Sequence, residues 1–324
     1  MDRAVCAMHS ALCFGAIMLS APSLPAEAQQ PKKVPRIGVL TPGNRSPAID
    51  AFLKGLRELG WVEGQNIAIE YRFGDGNEDR LPALAAQLVD AAVDIIISTS
   101  PRATFAVRQL TKSIPIIETF VGPLHVNLAH PDRNVTGVSS MPRELSGKRL
   151  EVLNEIIPGI PRVAVLANGV SAAQETMIEE VDAVARSLSV QIQILNVKKA
   201  EEIKNAFTAM ARGRVGALIV FPQAMLVQNR TTIIELAAKN RVPAMYPDSR
   251  FTDVGGLMCY GPNSAERYHR AAYFVVRILE GSKPSDLPVE QPTKFELVIN
   301  LKTANELHLN IPPEVLMWAD RVIK

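Results

Sequence analysis

The sequence predicts an α/β protein made of two doubly wound parallel-sheet lobes with a ligand cleft between them. Three observations carry this. Short apolar runs alternate with amphipathic stretches along most of the chain. The order of those runs repeats at an offset of about 125 residues. Small polar residues gather directly after the runs. Short apolar strands alternating with helices make a parallel sheet covered on both faces. In such sheets, ligands bind beyond the carboxyl ends of the strands.

Size and composition agree. The 324 residues leave room for about two domains, and 47% hydrophobic content supports real cores. With 21% charged residues and no long block of one sign, global disorder is excluded. A net charge of +2 argues against a strongly basic nucleic-acid surface. Three cysteines cannot form a disulfide framework.

In chain order, residues 1–28 read as a secretory leader. Arg3 precedes the apolar run 11–21, and Ala26-Glu27-Ala28 supplies a small-x-small cleavage site, so cleavage is expected after Ala28. The run is too short to span a bilayer comfortably. Cys6 and Cys13 leave with it. Only Cys259 remains, and it reads as a small core residue at a strand end.

Four pairs of strands follow. Residues 35–43 match 161–169, 65–70 match 190–195, 94–98 match 216–220, and 114–117 match 242–245. Helical spacing lies between them at 51–60, 81–90, 177–188, 203–212 and 232–240. The last quarter has no counterpart in the repeat. A helix is expected over 265–280, a strand over 295–300, and closing helices over 303–309 and 313–323. This tail is expected to complete both lobes, the chain crossing between them more than twice.

The familiar catalytic constellations are missing. His125, His130, His269 and His308 share no metal-ligand spacing on one helix. The sequence has no GxSxG elbow, no glycine-rich phosphate loop with lysine and no CxxC pair. No metal and no cofactor is expected.

The strand ends offer hydrogen-bonding groups instead. Asn44 and Ser46 follow the first strand. Ser98, Thr99 and Ser100 follow the third, ahead of Pro101 and Thr104. Proline suits a first helical turn, so this cluster either caps a helix or offers amides and hydroxyls to a carboxylate. Thr119 follows the fourth strand. In the second lobe the corresponding positions are Asn168, Phe221, Gln223, Tyr246 and Asp248. Phe221 and Tyr246 either stack on a planar ligand or serve as hinge or core residues. Asp248 could pair with an ammonium, and Asn168 and Gln223 could hydrogen-bond.

Residues 34–324 resemble a known family. The resemblance is carried in order by Arg36-Ile37-Gly38-Val39-Leu40, Gly55-Leu56-Arg57-Glu58-Leu59-Gly60-Trp61, Asn134-Val135-Thr136-Gly137, Gly255-Gly256-Leu257-Met258-Cys259-Tyr260-Gly261-Pro262 and the run 286–300. The family is the substrate-binding proteins of ABC transporters, in the group with tryptophan- and tyrosine-type binding components. The resemblance implies a type I periplasmic-binding-protein fold with a hinge of about three crossovers. On that fold, 34–140 with about 262–290 form the N-terminal lobe, and 141–261 with about 291–324 the C-terminal lobe. It implies a periplasmic monomer that binds a small molecule, an amino acid or related carboxylate. Its partners would be a permease and, through it, an ATPase subunit, with no nucleic acid. The rival reading is an enzyme on the same scaffold using Asp248 or Cys259. An effector domain of a transcription regulator would need a DNA-binding module where this chain has a leader.

Overall fold

The computed structural model describes residues 33–121, 134–169 and 172–324. The expected leader and its cleavage point lie outside them, as do His125 and His130. Val34–Lys324 forms one compact unit.

The first half begins with β1 (Arg36–Thr41), α1 (Pro47–Glu58), β2 (Ala68–Phe73), α2 (Leu81–Asp90) and β3 (Ile95–Ser98). It continues through α3 (Pro101–Leu110), β4 (Ile116–Val121) and β5 (Val135–Ser139). These strands form one parallel sheet in the order β2-β1-β3-β4-β5.

The second half follows as α4 (Pro142–Ile156), β6 (Arg162–Asn168), α5 (Ala172–Leu188), β7 (Gln191–Val197), α6 (Ile203–Arg212) and β8 (Ala217–Val220). Then come α7 (Ala224–Gln228), α8 (Arg230–Lys239), β9 (Ala244–Tyr246), α9 (Ser249–Thr252), β10 (Met258–Pro262) and α10 (Ser264–Leu279). The chain ends with β11 (Phe295–Asn300), α11 (Leu301–Glu306), α12 (Pro313–Trp318) and β12 (Arg321–Ile323). The second sheet has the order β12-β11-β10-β9-β8-β6-β7, parallel except where β10 meets β11.

The central strands of both sheets are buried on both faces, which is why they read as apolar runs, as at Ile95–Ser98 and Ala217–Val220. Successive strand residues point to opposite sides. Ile95 and Ile97 pack into the core beneath α1 and α10, while Ile96 packs with α2 and α3. In the second sheet Val163 and Val165 enter one core, and Ala164 and Leu166 the other. The predicted α/β class with two doubly wound sheets is what the structure has.

Sequence and structure differ at the ends. Val135–Ser139 and Pro142–Ile156 form a strand and a helix that periodicity did not reveal. Residues 313–323 are not one helix. Pro313–Trp318 ends before Arg321–Ile323 pairs with β11 as an edge strand.

The chain changes sheet at three places among the described residues. The first lies between β5 and α4, where Met141 holds a left-handed conformation at φ 43°. The second follows β10, because α10 packs in the core of the first sheet. The third lies between Glu290 and β11. Before it, the chain runs beside β5: Glu290 N–H donates to Gly137 O at 3.0 Å, and Ser139 N–H donates to Glu290 O at 2.7 Å.

Contact between α1 and α10 depends on Gly55. A Cβ there would stand 2.7 Å from His269 O and 2.9 Å from Ala272 Cβ. Helix α10 therefore sits close on α1, which fixes the position of everything α10 carries. Gly55→Val should destabilise the fold by about 1–3 kcal/mol through overpacking. The urea midpoint measures this, and unchanged stability would show that the two helices can separate freely.

Candidate functional site

A cleft of about 580 Å³ opens between the halves. From the first half it is walled by the loop after β1 and the one after β3. From the second half, the chain after β8 and the end of α9 face it. Arg267 and Tyr268 of α10 complete it. The cleft thus lies beyond the carboxyl ends of the strands, as expected for doubly wound sheets. Its size falls within the usual range for small-molecule sites.

Four of the expected residues reach its wall: Asn44, Ser46, Thr99 and Ser100. Ser46 sits at the N-cap of α1 without bonding an amide of the helix, so its hydroxyl is not used as a cap. Ser100 does cap α3, accepting from Ala103 N–H at 3.1 Å.

The other expectations need correcting on position. Ser98 and Thr104 are interior. Thr104 Oγ1 donates to Ser98 Oγ at 2.7 Å, and Ser98 Oγ donates to Ser100 O at 3.1 Å. Their hydroxyls tie the strand end to the helix start. Thr119 is fully buried, and it is the following residue, Phe120, that reaches the cleft. Phe221 and Tyr246 are core residues. Phe221 packs beneath β6 and β8, and Tyr246 stacks on Phe251 at 4.7 Å between ring centroids. Neither ring lines the cleft in this conformation.

Asn168 and Gln223 bind each other. Gln223 Oε1 accepts from Asn168 N–H at 2.6 Å, and Gln223 Nε2 donates to Asn168 O at 3.0 Å and to Gln174 Oε1 at 2.9 Å. This clamps the ends of β6 and β8. Asp248 is likewise engaged. It caps α9, and its two oxygens accept from Arg250 Nε at 2.8 Å and Nη2 at 2.7 Å. Burial works to raise its pKa. The Arg250 charge and hydrogen bonds prevail and hold the carboxyl below its ordinary value.

The sequence reading missed the arginines. Arg45, Arg230, Arg250 and Arg267 all line the cleft. Arg45 pairs with Asp50 at 2.9 Å, and Arg250 with Asp248. Among the described residues no carboxylate is hydrogen-bonded to Arg230 or Arg267, although the Asp248 charge acts on Arg267. Arg230 Nη1 donates to Val227 O at 3.1 Å, and its Nε is buried without a partner. Arg267 is 3% exposed. Its Nη1 donates to Thr119 O at 3.0 Å and Nη2 to Ser264 Oγ at 3.2 Å, while Nε has no partner. Its guanidinium lies 4.2 Å from the centroid of the Phe120 ring. Burial lowers its pKa to about 10, so it stays charged at neutral pH. A signal was available: Arg267 stands four and eight residues before Ala271 and Val275 on the buried face of α10. A charge within an apolar stripe marks a special position.

Among the described residues no cluster of three or more His, Cys, Asp or Glu could hold a metal, and no helix is long and apolar enough to cross a membrane.

Two sheets meeting at a solute-sized cleft, with the chain crossing three times beneath it, make this a type I periplasmic-binding-protein fold. Solved structures agree. A conserved domain protein from Vibrio cholerae O1 biovar El Tor superposes with a TM-score of 0.82 at 25% identity, covering 90% of this chain and 100% of that one. A Streptococcus pneumonia ABC domain in complex with L-Trp gives a TM-score of 0.78 at 25% identity, with 89% and 100% coverage. A tyrosine-binding protein of Clostridioides difficile (strain R20291) is 24% identical over 273 residues, which is 81% of this chain and 78% of that protein. Residues 39–323 match the ABC transporter substrate binding protein family, and the chain belongs to it.

The Asp248–Arg250 pair predicts an acid-sensitive element. Because the folded pKa is lowered, its stabilisation is complete above the ordinary value of 3.8 and is lost as pH falls through the lower folded value. Asp248→Asn should cost about 1–3 kcal/mol at pH 7 and flatten the loss of stability below pH ~4. Denaturant unfolding at pH 7 and in the acid range measures both. An acid limb identical to that of the parent protein would remove Asp248 from the account.

Proposed function

We infer that the protein captures a small carboxylate of the amino-acid class outside the cytoplasm and hands it, unaltered, to an ABC permease driven by an ATPase subunit. One observation carries the ligand class: Arg267, buried at the cleft wall, has no carboxylate hydrogen-bonded to it among the described residues, and the nearby Asp248 charge is already engaged by Arg250. A buried charge requires a partner of opposite sign, and a ligand carboxylate supplies it. Arg230 adds a second cation to the same wall. Phe120 and Tyr268 offer ring faces beside them, which suits an aromatic side chain. The relatives named for tyrosine and crystallised with L-Trp support the same class.

The working step is closure. The N-terminal lobe (34–140 with about 262–290) and the C-terminal lobe (141–261 with about 291–324) would pivot about the crossings. A ligand touching both lobes stabilises the closed state by its differential affinity. The leader at 1–28 fits delivery to the periplasm, where a monomer would work.

A catalytic reading has less support. Asp248 is held by Arg250, and Cys259 is buried with its thiol pushed far above the ordinary value by burial. Neither is poised as a base or nucleophile.

A thermal-shift screen over amino acids, aromatic acids, nucleosides and sugars tests the reading. Stabilisation is expected with an amino acid or aromatic acid; stabilisation by sugars or nucleosides alone would overturn the ligand class. Arg267→Met should then weaken calorimetric affinity for that acid at least tenfold, with circular dichroism unchanged. Undiminished affinity in a folded variant would remove Arg267 from the site.

A further inference from the structure

Among the described residues, the charged side chains that line the cleft are Arg45, Asp75, Arg230, Arg250, Asp253 and Arg267. Most of them are answered by an ion pair. Arg45 pairs with Asp50, and Arg250 with Asp248. Asp75 pairs with Arg80 and Asp253 with Arg321, so both carboxylates of the wall already hold an arginine. Arg230 and Arg267 are left, and the groups hydrogen-bonded to them are neutral: Val227 O for the first, Thr119 O and Ser264 Oγ for the second.

The Asp248 charge reaches Arg267 as well as Arg250. It is still one charge between two arginines. However it is divided, the wall and its ion-pair partners hold two positive charges in excess. Water screens that excess while the cleft is open. A solute that fills the cleft displaces this water, and the charges then require a partner of opposite sign.

A neutral amino acid meets this demand only in part. As a zwitterion it brings no net charge. Its carboxylate answers one arginine and leaves the other, while its ammonium meets wall carboxylates that are already engaged. A second carboxylate on the solute answers the second arginine. Resting on the carboxylate reading above, we propose that the solute carries two carboxylates, one taken by Arg267 and one by Arg230: an acidic amino acid or the matching dicarboxylate. Arg230 begins α8 of the second half, and Arg267 lies on α10, which packs in the core of the first sheet. The two ends of such a solute are therefore held by different halves, and Arg230 decides between acidic and neutral solutes.

The test is calorimetric titration of the purified protein at pH 7 with glutamate, glutamine and glutarate. Glutamate and glutamine match in size and differ by one charge; glutarate keeps both carboxylates and lacks the ammonium. Glutamate or glutarate should bind at least about tenfold more tightly than glutamine, as expected for one charge-assisted hydrogen-bonded pair. Whichever of the two is tighter tells an acidic amino acid from a dicarboxylate. Arg230→Gln should bring the acid-to-amide affinity ratio down to about twofold or less, whereas a merely structural role would weaken acid and amide alike and leave the ratio in place. Glutamine binding as tightly as both acids overturns the proposal, and so does an unchanged ratio in a folded Arg230→Gln. If that variant fails to fold, the parental ratio decides alone. Tight binding of neutral amino acids alone, with tyrosine and tryptophan as the probes, would overturn this proposal and leave the amino-acid reading standing. Binding of no amino acid or carboxylate at all would instead remove that reading, and this proposal with it.

Discussion

The close crossing of α1 and α10 is the constraint on which the arrangement rests. Helix α10 follows a strand of the second sheet but buries Ala271, Ala272 and Val275 in the core of the first. A chain leaving one sheet is thereby committed to the other half within a few residues. Gly55 permits the approach, and Arg270 adds a two-pronged pair to Glu290 at 2.6 Å for each bond. Glu290 in turn exchanges backbone hydrogen bonds with β5. The second and third crossings are thus anchored to one body. With α10 fixed, Arg267 is fixed too, at the wall of the cleft.

The first crossing is slightly strained. Met141, a non-glycine residue in the left-handed region, sits there. Such a conformation costs roughly 1–3 kcal/mol and persists only where its surroundings over-determine it. Gly261 has a different reason to be glycine, since a Cβ there would strike Pro247 O. That close approach brings Pro247 O within reach of Arg149 Nη2. Backbone carbonyls satisfy part of each buried guanidinium without neutralising it. Hydrogen-bond demand is met by carbonyls, while Asp248 is the carboxylate whose charge acts on both Arg149 and Arg267.

Much of the fold was legible in the sequence because the central strands of each sheet are buried on both faces. Strands such as Ile95–Ser98 and Ala217–Val220 then become unbroken apolar runs that stand out between amphipathic helices. Val135–Ser139 hides because Thr136, Gly137 and Ser139 interrupt its apolar pattern. Those residues have local reasons: Thr136 Oγ1 donates to Leu287 O at 2.7 Å, and a Cβ at Gly137 would collide with the backbone of Glu118. Pro142–Ile156 carries Arg149 among its buried positions, which spoils its amphipathic stripe. The site was half legible. Position after a strand pointed to Asn44, Ser46, Thr99 and Ser100, which line the cleft. Position alone could not distinguish a hydroxyl facing the cleft from one folded back, as at Ser98, or a cleft aromatic from a core aromatic, as at Tyr246. That distinction depends on where neighbouring elements leave space.

The electrostatics of the cleft follow from which arginines are already answered. Charges paired at their own loop, as in Arg45 with Asp50, contribute little beyond a few ångströms in salt. Arg230 and Arg267 have no carboxylate hydrogen-bonded to them among the described residues, and only the Asp248 charge acts on Arg267. They also come from opposite halves, Arg230 from α8 of the second and Arg267 from α10 packed on the first. Two like charges that closure brought together would oppose it. An anion placed between them reverses the sign of that interaction, because each half is then drawn to the same central charge. A neutral solute of equal size would fill the space and leave the repulsion in place. On the proposed reading, selectivity for a carboxylate and resistance to closing empty would be one physical property, set by these two side chains.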